Sequence, residues 1–316
     1  MNIDGLSYVI ALGGNSILPK GQRGLVREQH ANIERTCRDL LPLLKAEIPV
    51  FITHGNGPQI GNLILSLEIA GEKFPLLPID VCGAMTQGSI GAMLQRILVN
   101  CLNQAGVSRP VVTVVTQVVV DALDDAFWKP TKPVGPYFSD EEAKTLRREA
   151  GWTMVEDTRG GYRRVVASPK PLQIVECATI RSLAQSGAIV ICCGGGGIPV
   201  IRSGDGTLVP IEGVIDKDLA AAQLALEVGA CRMLILTDVE HVVINMGKPD
   251  QRPVDRTTAA EMKTWFEEKQ FPPGSMGPKI EAALRFLAGG GHEAIITLPE
   301  TARAALDGKT GTHILR

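Results

Sequence analysis

The stretch Ile189–Ile201, "IVICCGGGGIPVI", decides how the chain is read. An apolar, mostly β-branched run ends in Gly194, Gly195, Gly196 and Gly197. Glycine costs most to order, about 0.5 to 1 kcal/mol per residue relative to alanine. A plain turn needs one or two. Four behind a strand let bare backbone approach a ligand and use positive φ freely.

Similar apolar runs recur at Tyr8–Leu12, Val50–Thr53, Val111–Val120, Met233–Thr237 and Ala294–Thr297. Short runs of this kind suit strands covered on both faces of a parallel sheet. Helical segments alternate with them: 27–46, 57–71, 84–105, 172–185, 218–228, 258–269 and 278–288. In the last, Ile280, Ala283, Leu284 and Leu287 fall at i, i+3, i+4 and i+7 on one face. The alternation predicts an α/β fold, a three-layer αβα sandwich around an open, mostly parallel sheet. It is read as one domain over 1–316. Residues 124–171, rich in proline, charge and aromatics, are too long for an ordinary connection and predict an inserted lid subdomain.

Composition narrows the function. The 316 residues, 45% hydrophobic, suffice for a large core, and a net charge of −2 does not favour nucleic acid or an anionic membrane. No apolar run reaches the ~18 residues that span a bilayer, and the first residues lack a signal-peptide pattern. The seven cysteines form no C-x-x-C, and the five histidines show neither H-x-x-x-H nor pairing with cysteine. A cytoplasmic protein without its own zinc site is expected, any metal arriving with the substrate.

Three glycine-bearing loops follow strands: "ALGGN" at 11–15, "THGNGPQIG" at 53–61 and the tetraglycine run. In an open parallel sheet the ligand crevice lies beyond the carboxyl ends of the strands, so all three fall on one edge and their amides form an anion cradle. Commoner phosphate motifs fail. The first loop reads G-G-N-S-I-L, without the third glycine of a dinucleotide fingerprint, and Gly308-Lys309-Thr310 has Arg303 where a P-loop needs glycine. Lys217 and Lys279 each open a helix, an end that disfavours cations by about 0.3 to 1 kcal/mol. Two lysines at disfavoured ends beside such loops point to a polyphosphate site. Asp216 and Asp218 bracket Lys217 and can orient lysines or receive magnesium through water.

The strings "ALGGN", "THGNGPQIGN", "DVCGAMTQGSIG", "PTKPVGP", "GGYRRVVASPKP", "CGGGGIPVI", "VIDKDLAA", "LILTDVEHV" and "GSMGPK" resemble the carbamate kinases, within the amino acid kinase fold, in register over nearly the whole chain. Many relatives in that fold carry a phosphate-binding lysine in the first strand, where this chain has Tyr8-Val9-Ile10-Ala11. The resemblance implies that the inserted lid supplies it instead, as Lys132. It further implies reversible phosphoryl transfer between ATP and carbamate, with magnesium carried by the nucleotide. Lys132, Lys217, Asp218 and Lys279 would be catalytic. Gly13, Gly14, Asn15, Gly55, Asn56, Gly57, Gly194, Gly195 and Gly196 would bind the acceptor. Thr237, Asp238 and Met276 would lie beside the nucleotide with Lys217 and Lys279. Residues 1–123 and 172–206 would form mainly the carbamate side and 207–316 mainly the nucleotide side, in a homodimer. Arg159, Arg163 and Arg164 either touch phosphate or form a solvated or interface cluster. Ser16, Ala92, Asp125 and Ala167 depart from the family pattern. They keep open a nucleotide-binding paralogue with weak or no activity, or a kinase of another small carboxylate.

Overall fold

The computed structural model describes residues 6–19, 21–71, 77–157 and 160–316, so Arg159 lies outside the described residues. Its centre is an eight-stranded sheet, in the order Arg256–Thr258, Thr312–Leu315, Glu293–Thr297, Arg232–Leu236, Tyr8–Leu12, Val50–His54, Ile189–Ile191, Val111–Thr113. The last six are mutually parallel. Thr312–Leu315 runs against Glu293–Thr297, and Arg256–Thr258 follows Thr312–Leu315.

Side chains alternate between the two faces of each strand. Val9, Ala11, Phe51, Met233 and Ile235 pack with Ile180, Leu224 and Phe286 from the helices Cys177–Gln185, Lys217–Val228 and Met276–Ala288. Tyr8, Ile10, Leu12, Ile52 and Leu234 pack on the other side with Ile33, Leu40, Leu94 and Leu98 from Val26–Lys45 and Ile79–Gln104. Both faces are covered, which is why these strands read as unbroken apolar runs. Among the described residues no helix is long and apolar enough to cross a membrane.

Two expected elements are corrected. The run 111–120 is not one strand. Val111–Thr113 ends the central sheet, and Gln117–Val120 belongs to a second sheet ordered Leu208–Pro210, Ile198–Arg202, Gln117–Val120, Pro171–Ile174. The break sits at Thr116, whose backbone N–H donates to Gln87 Oε1 at 2.8 Å and whose carbonyl accepts Gln87 Nε2 at 3.1 Å. The helix expected from 172 begins at Cys177. Pro171–Ile174 is instead a strand antiparallel to Gln117–Val120, and Glu176 receives the Gln117 backbone N–H at 2.8 Å.

Within 124–171, Lys132–Phe138, Tyr162–Val166 and Met154–Glu156 form a three-stranded sheet with the helix Asp140–Glu149. Val134 and Val166 share an apolar cluster with Ile60, Ile64, Ile79 and Cys82, seating this sheet on the helix Gly57–Ala70. Gly61 permits the contact, since a Cβ there would lie 3.1 Å from Gly135 Cα.

The tetraglycine run is glycine for reasons of packing as much as of ligand access. A Cβ at Gly194 would strike the His54 ring, at Gly195 the Asn56 amide, at Gly196 the Ile215 carbonyl oxygen and at Gly197 the Val118 side chain. Gly195, Gly196 and Gly197 also have φ of 66°, 98° and 85°. Gly196 combines both constraints against backbone that cannot move aside. Gly196→Ala should therefore cost at least about 2 kcal/mol, from left-handed strain and overpacking together. Urea unfolding of the parent and variant at one temperature checks this, and equal midpoints would refute it.

Candidate active site

The parallel strands Tyr8–Leu12, Val50–His54, Ile189–Ile191 and Arg232–Leu236 end on one edge of the sheet, in register at Leu12, His54 and Leu236. The three glycine loops therefore meet there, as expected. At that edge a cleft of about 270 Å³ is lined by Gly14, Gly55, Asn56, Gly57, Gly195, Lys132, Lys217, Asp218 and Lys279, all anticipated from sequence.

Three separate segments bring the charges together. Asp216 caps the helix Lys217–Val228, its Oδ1 accepting the Asp218 N–H at 2.9 Å. That places Lys217 and Asp218 in the first turn. Asp218 is 1% exposed; one carboxylate oxygen accepts Lys217 Nζ and the other accepts Lys279 Nζ at 3.0 Å. Lys279 comes from the first turn of Met276–Ala288, and its Nζ also reaches the Ser275 carbonyl at 3.4 Å. Lys132, at the start of Lys132–Phe138, donates to Asp216 Oδ2 at 2.6 Å. Gly55 leaves room for the Lys217 stem, since a Cβ there would meet Lys217 Cδ at 3.2 Å.

The electrostatics follow from burial and pairing. Burial pushes the Asp218 carboxyl up, but the charges and hydrogen bonds of Lys217 and Lys279 outweigh it and hold the group well below the usual carboxylate range. Burial pulls the Lys217 ammonium down, opposed by Asp218 and aided by Lys279. For Lys279 burial also acts downward, yet Asp218 prevails and the ammonium is raised. Asp218 thus stays ionised, and cationic donors surround the cleft.

Other anticipated residues stand behind the cleft or beside it. The Gly13 N–H is taken by the Leu236 carbonyl at 2.9 Å and the Gly55 N–H by the Leu12 carbonyl at 3.0 Å. Neither amide belongs to the expected anion cradle, because both extend the sheet's ladder. The backbone of Asn15 lies in the short helix Gly14–Ile17 opening on the cleft edge. Gly194 and Gly196 are buried like Gly195 but do not line the cleft, and the Gly196 N–H closes a turn to the Cys193 carbonyl at 3.1 Å. Thr237 and Asp238 follow the strand Arg232–Leu236, with Thr237 Oγ1 donating to Asp238 Oδ1 at 3.2 Å. Met276 packs against the apolar core.

Sequence reasoning left some of the lining unassigned. Arg163 reaches the cleft, its guanidinium donating to the Gly135 carbonyl at 3.0 Å and lying 5.2 Å from the Tyr137 ring centroid. Arg164 instead lies over Trp152, 4.2 Å from its centroid, away from the cleft. Ile60, Val134, Val214 and Ile215 supply apolar walls. Nothing in the sequence separates them from core positions. Gly274 and Ser275 also line the cleft; they open the string "GSMGPK" but are assigned no role from sequence. Ser16, Ala92, Asp125 and Ala167 are not among the lining residues.

Among the described residues no three His, Cys, Asp or Glu side chains converge as a metal cage. Both cleft carboxylates are engaged by lysines. Asp216 and Asp218 are the carboxylates lining the cleft, and they would fit a magnesium that keeps its own waters rather than one held in a protein cage.

Against known proteins, residues 7–298 match the amino acid kinase family. The carbamate kinase of Thermococcus kodakarensis is 49% identical over 311 residues, 98% of each chain. The carbamate kinase-like protein YahI of Escherichia coli is 46% identical over 311 residues, again 98% of each. A solved structure of Giardia lamblia carbamate kinase bound to AMP-PNP superposes with a TM-score of 0.92 at 41% identity, covering 98% of both chains. The chain therefore belongs to the amino acid kinase family, and its full-length relatives place it in the carbamate kinase branch.

His54, at the back of the glycine loops, gives the site a pH signature. Burial pulls its imidazole from 6.5 down to about 4, partly offset by its hydrogen bond to the Gly55 carbonyl. A histidine depressed on folding stays neutral in the native state while the unfolded chain takes up protons. Stability therefore falls as pH drops from 6.5 toward 4, by roughly 3 kcal/mol across the window. Urea titrations at pH 7 and pH 5 should show about 2 kcal/mol of this loss in the parent and a flatter profile in His54→Gln. Identical pH slopes would refute it.

Proposed function

We propose that this chain is a carbamate kinase, catalysing ATP + carbamate = ADP + carbamoyl phosphate. The observation that carries the reading is the convergence of Lys132, Lys217 and Lys279 on one cleft, the latter two on a single buried carboxylate. Carbamate is already an anion. Its oxygen attacks the γ-phosphorus, the bond to the β,γ-bridging oxygen breaks, and ADP leaves; no general base is required. Catalysis then reduces to alignment and charge cancellation.

In this reading Lys217, Lys279 and Lys132 neutralise the transferring phosphoryl and its bridging oxygens, and Asp218 spaces the two helix lysines. Gly14, Asn15, Asn56, Gly57 and Gly195 face the acceptor, with Gly13, Gly55, Gly194 and Gly196 shaping the loops behind them. Thr237, Asp238 and Met276 lie toward the nucleotide. Magnesium arriving with the nucleotide would supply further charge neutralisation there, with Asp216 and Asp218 as the cleft carboxylates available to its waters. Residues 1–123 and 172–206 form the acceptor side, 207–316 the nucleotide side, and 124–171 a lid whose closure keeps water from the mixed anhydride. The physiological direction proposed is ATP formation from carbamoyl phosphate, in nitrogen catabolism such as that of arginine, in the cytoplasm.

A coupled assay should detect ATP from ADP and carbamoyl phosphate. Lys217→Ala and Lys279→Ala should each lower kcat roughly 100-fold or more, and Lys132→Ala should depress kcat strongly while ADP affinity changes only a few-fold. ADP binding without turnover in the parent would favour the weak or inactive paralogue. Turnover with another small carboxylate alone would favour that acceptor instead.

The chain is further proposed to form a twofold homodimer. Val81 and Met85, 38% and 46% exposed on the helix Ile79–Gln104, offer apolar surface for such pairing. Light scattering at micromolar concentration should give twice the 33.8 kDa chain mass, and a monomer mass would sink the assignment.

A further inference from the structure

Asp216 stands apart from Asp218 in what it holds together. Its Oδ1 accepts the Asp218 backbone N–H at 2.9 Å and so caps the helix that carries Lys217 and Asp218. Its Oδ2 accepts Lys132 Nζ at 2.6 Å, and Lys132 belongs to the inserted sheet, 84 positions earlier in the chain. One carboxylate thus joins the inserted segment to the first turn of the helix. Its side chain is 14% exposed and that of Lys132 is 32% exposed, so the pair sits at the cleft wall and not in open solvent.

The charge balance gives the contact a purpose. Lys217 and Lys279 already share Asp218, leaving one positive charge in excess. A third ammonium brought to the same cleft is repelled unless a second carboxylate meets it. A lysine stem is also flexible and loses rotamer entropy when fixed. An anchor that orders Lys132 before reaction removes that cost from the transition state.

We propose that Asp216 is a positioning residue for the phosphoryl transfer. It seats the inserted segment on the helix and aims Lys132 at the place that Lys217 and Lys279 face. The proposal rests on the phosphotransferase reading and on a catalytic Lys132. The two roles of Asp216 can be separated chemically. Asparagine and serine are N-caps comparable to aspartate, so either can replace Oδ1, but neither offers a carboxylate to the lysine.

The test is a double-mutant cycle on the full chain, read as kcat for ATP formation, ADP affinity by calorimetry and thermal midpoint. Asp216→Asn should lower kcat at least tenfold, change ADP affinity only a few-fold and leave the midpoint within about 2 °C, since the cap is kept. Asp216→Ser should behave alike, guarding against an idiosyncratic effect of one variant. The variant combining Lys132→Ala with Asp216→Asn should be no slower than Lys132→Ala alone, because Asp216 acts through that lysine. Asp216→Asn at parental kcat beside a slow Lys132→Ala would overturn the positioning role while leaving the phosphotransferase reading intact. Multiplicative losses in the double variant would overturn it as well. Parental turnover in Lys132→Ala would remove the catalytic lysine, and the positioning role with it.

Discussion

A single buried carboxylate, that of Asp218, organises the charges of the cleft. Two ammonium groups converge on it from helices far apart in sequence, Lys217 beside it and Lys279 from the helix Met276–Ala288. Taking three charges out of water is unfavourable unless they are mutually paired, and removing one partner of such a set commonly costs about 3 to 5 kcal/mol. The sheet, the caps and the glycine loops all serve to hold the three groups in that relation.

The backbone meets this demand through close approach. Parallel strands buried on both faces end together, so the loops after Leu12, His54 and Ile191 are pressed into a small volume. Glycine is required there because neighbouring side-chain and backbone atoms already occupy the space a Cβ would need. His54, Asn56, Ile215 and Val118 crowd the tetraglycine run from four directions. The run is thus a packing junction that also places Gly195 on the cleft wall. The same logic recurs where Gly61 meets Gly135, the contact that lets the inserted sheet lie close enough for Lys132 to reach Asp216.

For a reaction whose acceptor is already an anion, such an arrangement suffices. Phosphoryl transfer asks for cations at fixed positions and for exclusion of water. The cleft offers lysines held by carboxylates, glycine-rich backbone and apolar walls from Ile60, Val134, Val214 and Ile215. His54 sits at the rear, kept neutral by burial, and so contributes packing in place of charge.

Periodicity and composition by themselves determined the α/β class, the strands read at 8–12, 50–53 and 189–193, and the meeting of three glycine loops at one edge. Burial on both faces leaves an unbroken apolar run, and such runs survive in any reading of the chain. Paired glycines and two lysines at unfavourable helix starts also marked much of the cleft lining. Other features belonged to the tertiary structure alone. The split at Thr116 depends on Gln87, a side chain on a distant helix, which takes backbone groups that local pattern assigned to a strand. The strand at Pro171–Ile174 exists because Gln117–Val120 lies beside it. The Gly13 and Gly55 amides looked available for a ligand, yet neighbouring strands had already claimed them. The pairing of Lys132 with Asp216 and of Lys279 with Asp218 spans segments that no local rule connects. Local propensity is written along the chain, whereas hydrogen-bond partners and charge neutralisation are settled by whichever groups folding brings within about 3 Å.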